Sequence, residues 1–196
     1  EGISLLHTPS ERKLETELRS SERAAYTLIT FSGHGLHSKE LDETIIFIND
    51  KLKIRVRGLK SRCQKITCII DACREVQPYV TEEEELVVAK RAEVIERGNF
   101  RKAFDRHIDK APKGKITMYS CDINEGAGET RNGGYFSRYL IKCSKSWATR
   151  QRTPDVYDTR QAFSDAKRET KNRADQQNPV YEPGRRSTHY PFAVKA

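Results

Sequence analysis

The chain has 196 residues, of which 36% are hydrophobic and 33% charged, and this length and composition fit one domain with a modest core. No apolar run approaches the roughly 18 residues that a membrane span needs, and no signal peptide is visible. The five cysteines are not spaced as a disulfide framework or as the close pairs of a zinc site, so we expect a reduced, cytoplasmic setting.

The net charge is +8 and the isoelectric point is about 9.3. Much of the excess positive charge lies after Lys142. A solvated basic surface is the favoured interpretation. A nucleic-acid-binding tail stays an alternative, but it lacks the interleaved aromatic residues of single-strand platforms, so nucleic acid is not an expected partner.

Runs of β-forming residues alternate with segments of helical periodicity along the chain. The predicted elements are, in chain order, a strand at 2–7, a helix at 8–18 with Thr8 as its N-cap, a strand at 24–31, a polar loop at 36–43, a hairpin of 44–48 and 52–57, a strand at 65–70, a charged surface segment at 75–113, a strand at 115–121, a core helix at 135–141, a helix at 155–175 and a last strand at 189–194. This order predicts an α/β fold with a mostly parallel sheet that helices cover on both faces.

Two of the predicted strands end on residues that can perform covalent chemistry. The first strand is followed by Ser32-Gly33-His34-Gly35 and the second by Asp71-Ala72-Cys73-Arg74. If these strands are parallel neighbours, His34 and Cys73 meet at the edge of the sheet where α/β proteins build their sites. A thiol beside an imidazole is a nucleophile with its proton acceptor. Taken alone, either His34 or Cys73 would be interpreted as an ordinary core residue. Two such motifs in chain order, each after a predicted strand, favour a catalytic site.

The two motifs resemble those of the caspase-like cysteine peptidases. Asp71, two residues before the Cys, is similar to the Asp of paracaspases and metacaspases, which cleave after Arg or Lys. The resemblance, to a bacterial kind of this family, implies a caspase-like fold whose first strand and helix are absent from this chain. A complementary N-terminal fragment is therefore an expected partner.

The resemblance assigns roles to the residues of the two motifs. Cys73 is the expected nucleophile and His34 the general base that later protonates the leaving amine. The backbone N–H groups of Gly35 and Cys73 are expected to form the oxyanion hole. Ser32 resembles the serine that lines the substrate pocket in metacaspases.

A downstream segment, 119–137, resembles the caspase segment that runs along the substrate. Its eleventh residue is Glu129, at the position where caspases carry the Arg that holds a substrate Asp. Asp71 and Glu129 together would form an acidic S1 pocket, which should bind Arg and, second, Lys. By the same resemblance, Gly126, Ala127 and Gly128 should pair with the extended substrate, and the absence of a bulky side chain at Gly128 predicts an open S2 wall.

The predicted organisation is one caspase-like domain over 1–196, with a large-subunit-like part at 1–74, a charged linker at 75–113 and a small-subunit-like part at 114–196. The linker is rich in Lys and Arg, so we expect an enzyme of this specificity to be able to cut itself there. No metal is expected to be required. Calcium stays open, because Asp42-Glu43-Thr44 resembles part of the metacaspase calcium region.

The resulting hypothesis is a cysteine endopeptidase (a thiol protease) that acts on protein substrates through an acyl-enzyme thioester. Family analogy suggests limited cleavage of a partner protein in antiviral defence or cell death. The alternatives are a catalytically silent caspase-like scaffold and a basic nucleic-acid-binding module.

Overall fold

The computed structural model describes residues 4–59, 61–77, 100–130, 133–150 and 155–195. The helices are α1 Glu11–Ser20, α2 Phe100–Lys110, α3 Tyr135–Ala148 and α4 Thr159–Arg173. The strands are β1 Thr27–Ser32, β2 Gly35–Ser38, β3 Glu43–Phe47, β4 Lys53–Arg55, β5 Lys65–Asp71, β6 Val76–Gln77, β7 Gly114–Tyr119, β8 Glu129–Thr130, β9 Gly133–Gly134, β10 Val156–Asp158, β11 Val180–Glu182 and β12 Pro191–Val194.

The central sheet has the strand order β1-β5-β7-β11. The first three strands are parallel, and β11 pairs antiparallel with β7. The middle strand β5 is rich in isoleucine and buried at every position but the first, as expected for a parallel strand covered on both faces. The prediction of an α/β fold with a mostly parallel sheet is confirmed.

Alternate residues of β5 feed two hydrophobic clusters, one on each face of the sheet, because successive side chains of a strand point to opposite faces. Ile69 belongs to the cluster that helices α2, α3 and α4 cover. Cys68 and Ile70 belong to the cluster on the opposite face, which includes residues of β3 and its following turn. The sheet therefore holds its strand ends in fixed positions between two packed layers.

A second, smaller sheet has the order β4-β3-β2-β6. The predicted hairpin is confirmed as the antiparallel pair β3 and β4. The prediction of a polar loop at 36–43 is wrong for its first part, because Leu36, His37 and Ser38 are buried strand residues. Strand β2 is paired with β3 on one side and with β6 on the other, so its backbone groups find partners within the sheet. The polar composition of this segment therefore did not prevent a buried strand.

Other boundaries also differ from the prediction. Helix α1 begins after Ser10, whose hydroxyl accepts a hydrogen bond from Lys13 N at 3.4 Å, and not after Thr8; residues 4–6 form no strand. Helix α4 begins at Thr159 behind a capping box of Asp158 and Gln161, because the preceding residues form β10. Strand β11 was not predicted.

The predicted linker at 75–113 lies only partly within the described residues. Its stretch 78–99 lies outside the described residues, and with it the basic residues Lys90, Arg91 and Arg97 proposed as self-cleavage sites. The remaining basic candidates, Arg101-Lys102, Arg106 and Lys110, lie on α2. None of the helices in the described part of the chain is long and apolar enough to cross a bilayer.

Candidate active site

Strands β1 and β5 are adjacent and parallel, as predicted, and they end side by side. Ser32 lies opposite Asp71 in the register, and Gly33 N donates to the carbonyl oxygen of Asp71 at 3.1 Å. The chain then continues from β1 into β2, which runs beside the residues after Cys73, since His37 N donates to Glu75 O at 3.0 Å. The two loops that carry the motifs are therefore neighbours.

Gly35 lies where the two loops approach each other closely. A Cβ at this position would lie 3.0 Å from the Cys73 carbonyl oxygen, the Cβ of Ala72 and the Ile45 carbonyl oxygen, so any larger residue would crowd all three neighbours. Residues two apart on a strand direct their N–H groups to the same side. Because His37 N reaches Glu75 O, the N–H of Gly35 points to the side on which Cys73 lies.

His34 combines a fixed backbone with an exposed side chain. Its carbonyl oxygen accepts a hydrogen bond from Phe47 N at 3.0 Å, which ties the loop to β3, whereas the imidazole faces solvent. Cys73 is half-buried, and its Sγ accepts a hydrogen bond from Ala127 N at 3.3 Å. This bond holds Ala127 against the candidate nucleophile.

Arg74, next to the candidate nucleophile, is a buried anchor that the sequence did not identify. Its side chain is 4% exposed, donates to Thr44 Oγ1 at 2.9 Å and Cys121 O at 3.2 Å, and lies 4.0 Å above the ring of Tyr119. Hydrogen bonds and the aromatic face compensate for its burial. The Cys73 loop is thereby fastened to β3 and to the end of β7.

Asp71 closes the end of β5 as a buried carboxylate. It is 4% exposed and accepts a hydrogen bond from Ser137 N at 3.0 Å. Burial raises the pKa of Asp71, hydrogen bonds from Ser137 and Ser120 partly oppose this, and the charge of Glu129 adds to the rise. The carboxyl group therefore takes up a proton more readily than an ordinary Asp.

Glu129 is placed near Asp71 by the pairing of β8 with β9. It pairs with Gly134, and a Cβ on Gly134 would overlap both carboxylate oxygens of Asp71. The Asp71 carboxylate thus takes the space of a Gly134 side chain, across the strand pair from Glu129, with Asp71 buried and Glu129 exposed. Ser32, also exposed, lies across from Asp71 at the end of β1.

The loop at 125–128 is held by side chains from the segment after α4. Gln177, which is 2% exposed, accepts a hydrogen bond from Gly128 N at 3.1 Å and donates to Ser120 O at 2.8 Å. Glu125 accepts from Asn178 N at 2.7 Å and from Asn178 Nδ2 at 2.6 Å. The sequence contained the dipeptide at 177–178, but nothing in it connected these residues with a loop some 50 positions earlier.

Gly128 also lies against an aromatic ring. A Cβ at Gly128 would be 2.6 Å from Cε2 of Tyr135, and Tyr135 N donates to Gly128 O at 2.9 Å. The ring at the start of α3 thus occupies space that a side chain at Gly128 would need. Among the residues that the structure describes, no three His, Cys, Asp or Glu side chains are grouped as a metal would require.

An α/β sheet whose neighbouring parallel strands lead into a His loop and a Cys loop, with glycine at their contact, is the framework of a cysteine peptidase. The sequence model of the caspase domain, peptidase C14, matches residues 11–190. The chain belongs to this family of cysteine peptidases. No individual curated protein matches the chain.

Proposed function

We propose that this protein is a cysteine endopeptidase that cleaves protein substrates after Arg, with Lys second, through a Cys73–His34 dyad. The observation that carries the proposal is the Asp71 carboxylate in the place of a Gly134 side chain, with Glu129 paired to Gly134 across the strands, at the end of the strand that leads to Cys73. Two carboxylates at one narrow place favour a cationic side chain, because each raises the cost of ionising the other until a cation enters.

The dyad would act in two steps. In acylation, His34 takes the thiol proton while Cys73 Sγ bonds to the scissile carbonyl carbon, giving a tetrahedral oxyanion. Collapse forms the thioester and breaks the C–N bond, and the imidazolium returns its proton to the leaving amine. In deacylation, His34 removes a proton from water, which attacks the thioester and releases the acid and the thiol.

The N–H groups of Gly35 and Cys73 would hold the oxyanion. The direction of the Gly35 N–H, inferred from the bond between His37 N and Glu75 O, supports this role. Donors fixed by strand pairing need no reorganisation as charge develops on the oxygen, which is why such groups contribute strongly to catalysis.

The S1 pocket would consist of Asp71, Glu129 and Ser32. An Arg guanidinium offers paired N–H donors to a carboxylate, which suits a pocket with two acids. Entry of the cation would draw the raised pKa of Asp71 down, so substrate binding would release a proton wherever Asp71 is protonated in the free enzyme.

The substrate backbone would pair with Gly126, Ala127 and Gly128 as an added strand. Gly128 N is held by Gln177 and Ala127 N by the sulfur of Cys73, so the substrate would pair through the backbone groups of this loop that these bonds leave open. Endopeptidase activity of this specificity is typical of paracaspases and metacaspases. By that analogy the protein acts in the cytoplasm by limited cleavage of a partner in defence or cell death.

The test is a set of fluorogenic tetrapeptides that differ only in the P1 residue, Arg, Lys or Asp, incubated with the wild type and with Cys73→Ala. We expect cleavage after Arg, slower cleavage after Lys and none after Asp, with the variant inactive on all three. Cleavage after Asp would refute the basic specificity. No cleavage of any peptide would refute the enzyme assignment and leave the scaffold.

A further inference from the structure

Ser120 is a buried serine at the place where the central sheet ends. It directly follows β7 and is fully buried, and its N–H donates to Ile70 O at 2.9 Å, which extends the pairing of β5 with β7 by one bond. Its hydroxyl accepts a hydrogen bond from Ala72 N and donates one to Ala72 O, both at 3.2 Å. The hydroxyl thus holds both backbone polar groups of Ala72, as a further strand residue would.

The carbonyl of Ala72 has a second neighbour, the thiol of Cys121. Its Sγ lies 3.3 Å from Ala72 O and 3.3 Å from Glu125 O, so the S–H group faces two carbonyl acceptors. Burial raises the pKa of Cys121 to about 12, and the thiol therefore keeps its proton and stays a donor at neutral pH. Ala72, Ser120 and Cys121 are all buried, which keeps water from competing for this carbonyl.

The direction of this carbonyl determines the direction of one N–H group. Ala72 O and Cys73 N belong to the same peptide unit, and in a planar trans peptide the C=O and the N–H point in opposite directions. Because Ala72 O points toward Ser120, the N–H of Cys73 points away from β7, toward the side of β1 and β2. The bond between His37 N and Glu75 O, two residues beyond Cys73, lies on that same side.

We propose that Ser120 and Cys121 are positioning residues for the oxyanion hole of the peptidase reaction. Their donors hold the carbonyl of Ala72, and the peptide plane then aims the N–H of Cys73 at the oxyanion. The inference rests on the proposed function, in which this N–H and that of Gly35 form the oxyanion hole. Hydrogen bonds accepted by a carbonyl also polarise its peptide unit, so the N–H becomes a better donor, and a donor fixed in advance needs no reorganisation when charge develops.

The first measurement is kcat/KM for a fluorogenic Arg peptide. Ser120→Ala removes both bonds to Ala72 and should lower kcat/KM roughly ten- to hundredfold. Cys121→Ala should lower it roughly two- to tenfold, the range of one neutral hydrogen bond, and Cys121→Ser, which restores a donor in the same place, should recover most of that loss. The matched control is Cys68→Ala, which removes another fully buried thiol, earlier on β5, and should react as wild type.

The second measurement separates oxyanion binding from substrate binding. With the aldehyde acetyl-Ala-Ala-Arg-al, the C=O π bond is replaced by a bond from Cys73 Sγ to carbon, the thiol proton passes to His34, and the aldehyde oxygen becomes the oxyanion. Acetyl-Ala-Ala-agmatine presents the same basic side chain with no carbonyl at P1, so it reports substrate binding alone. Ser120 also donates to Asp71, and the agmatine peptide measures any effect of its removal on the S1 pocket.

In each variant the Ki of the aldehyde should rise by about the factor by which kcat/KM falls, beyond any change in the Kd of the agmatine peptide, because only the transition state and its analogue carry the oxyanion. Thermal melts check that each variant is folded at the assay temperature. Cys121→Ser differs from the wild type by one atom, so the comparison with Cys121→Ala keeps the test open if Ser120→Ala does not fold.

The outcomes separate this inference from the function on which it rests. Wild-type kcat/KM in folded Ser120→Ala, or a loss in Cys121→Ala that Cys121→Ser does not recover, would overturn the positioning role. Equal losses of affinity for the aldehyde and the agmatine peptide would assign the effect to substrate binding and overturn it as well. In these cases the wild type cleaves the Arg peptide and the proposed function stands, whereas no cleavage by the wild type would overturn both.

Discussion

The backbone N–H of Ala127 donates a hydrogen bond to the sulfur of Cys73 at 3.3 Å. This contact joins the loop that is proposed to receive the substrate with the group that is proposed to attack it. The bond holds the loop against the sulfur. The nucleophile and the substrate strand are therefore arranged as one unit, which the following predictions probe.

The first prediction concerns the proposed Cys73–His34 dyad. Cys73→Ala and His34→Ala should each reduce kcat/KM for an Arg peptide by roughly 10³-fold or more, because nucleophile and base act together and removal of either disables both. Cys143→Ala, at a half-buried thiol on α3, should retain wild-type rates. The measurement is the initial rate at a known enzyme concentration. Activity retained in His34→Ala would exclude His34 as the general base.

Basic specificity should depend on the exposed carboxylate of the S1 pocket. Glu129→Gln should lower kcat/KM for Arg peptides roughly ten- to hundredfold, since a charge-assisted hydrogen bond contributes about 1.5–3 kcal/mol. Asp50→Asn, which removes an exposed acid in the turn between β3 and β4, is the matched control and should behave as wild type. Equal kinetics of Glu129→Gln and Asp50→Asn would exclude Glu129 from the pocket.

The raised pKa of Asp71 predicts a pH dependence of substrate binding. Below that pKa the carboxyl group is neutral and pairs poorly with Arg, so kcat/KM should fall as pH drops through it. Asp71→Asn should be slow at all pH values and lack this step. A profile of kcat/KM over the acidic range measures it, and an identical acid limb in Asp71→Asn would assign the limb to another group.

Folding stability should change in the opposite direction with pH. The folded-state pKa of Asp71 lies above its unfolded value, because burial disfavours the carboxylate. In the window between these two pKa values the folded state binds more protons, so the wild type loses stability relative to Asp71→Asn as pH rises. Thermal melts of both proteins across that window give the comparison, and parallel curves would contradict it.

Gln177 should be required for both stability and activity. Gln177→Leu leaves Gly128 N and Ser120 O without their side-chain partner, which costs about 1–3 kcal/mol, and it releases the substrate loop. We expect a lower melting temperature and a reduced kcat/KM. Gln176→Leu changes an exposed neighbour and serves as the control; if both variants melt and react alike, Gln177 does not position the loop.

The close packing of Gly128 against Tyr135 predicts a coupled pair. Gly128→Ala places a methyl group where the ring lies, so it should lower kcat/KM and stability. The double variant Gly128→Ala with Tyr135→Ala should recover part of the loss, because the second change removes the clash. A double-mutant cycle measures this coupling, and strictly additive effects would show that the ring simply moves aside.

Much of the fold followed from local pattern. The β-branched runs at 24–31 and 65–70 predicted strands β1 and β5, and the segments at 44–48 and 52–57 predicted the hairpin of β3 and β4. Periodicity succeeds there because a buried strand or an amphipathic helix must repeat its apolar residues. Strand β2 was missed because its burial comes from partners on both sides, and β11 because it is only three residues long.

The sequence by itself determined which residues follow the strands: a His after one run and an Asp and a Cys after the next, because strand-forming patterns and motifs are local. Only the tertiary structure decided what supports them. Arg74 beside the Cys loop, Gln177 at Gly128 and the Asp71 carboxylate against Gly134 act through contacts between segments far apart in the chain. Such contacts depend on how the layers pack around the sheet, and no local pattern encodes them.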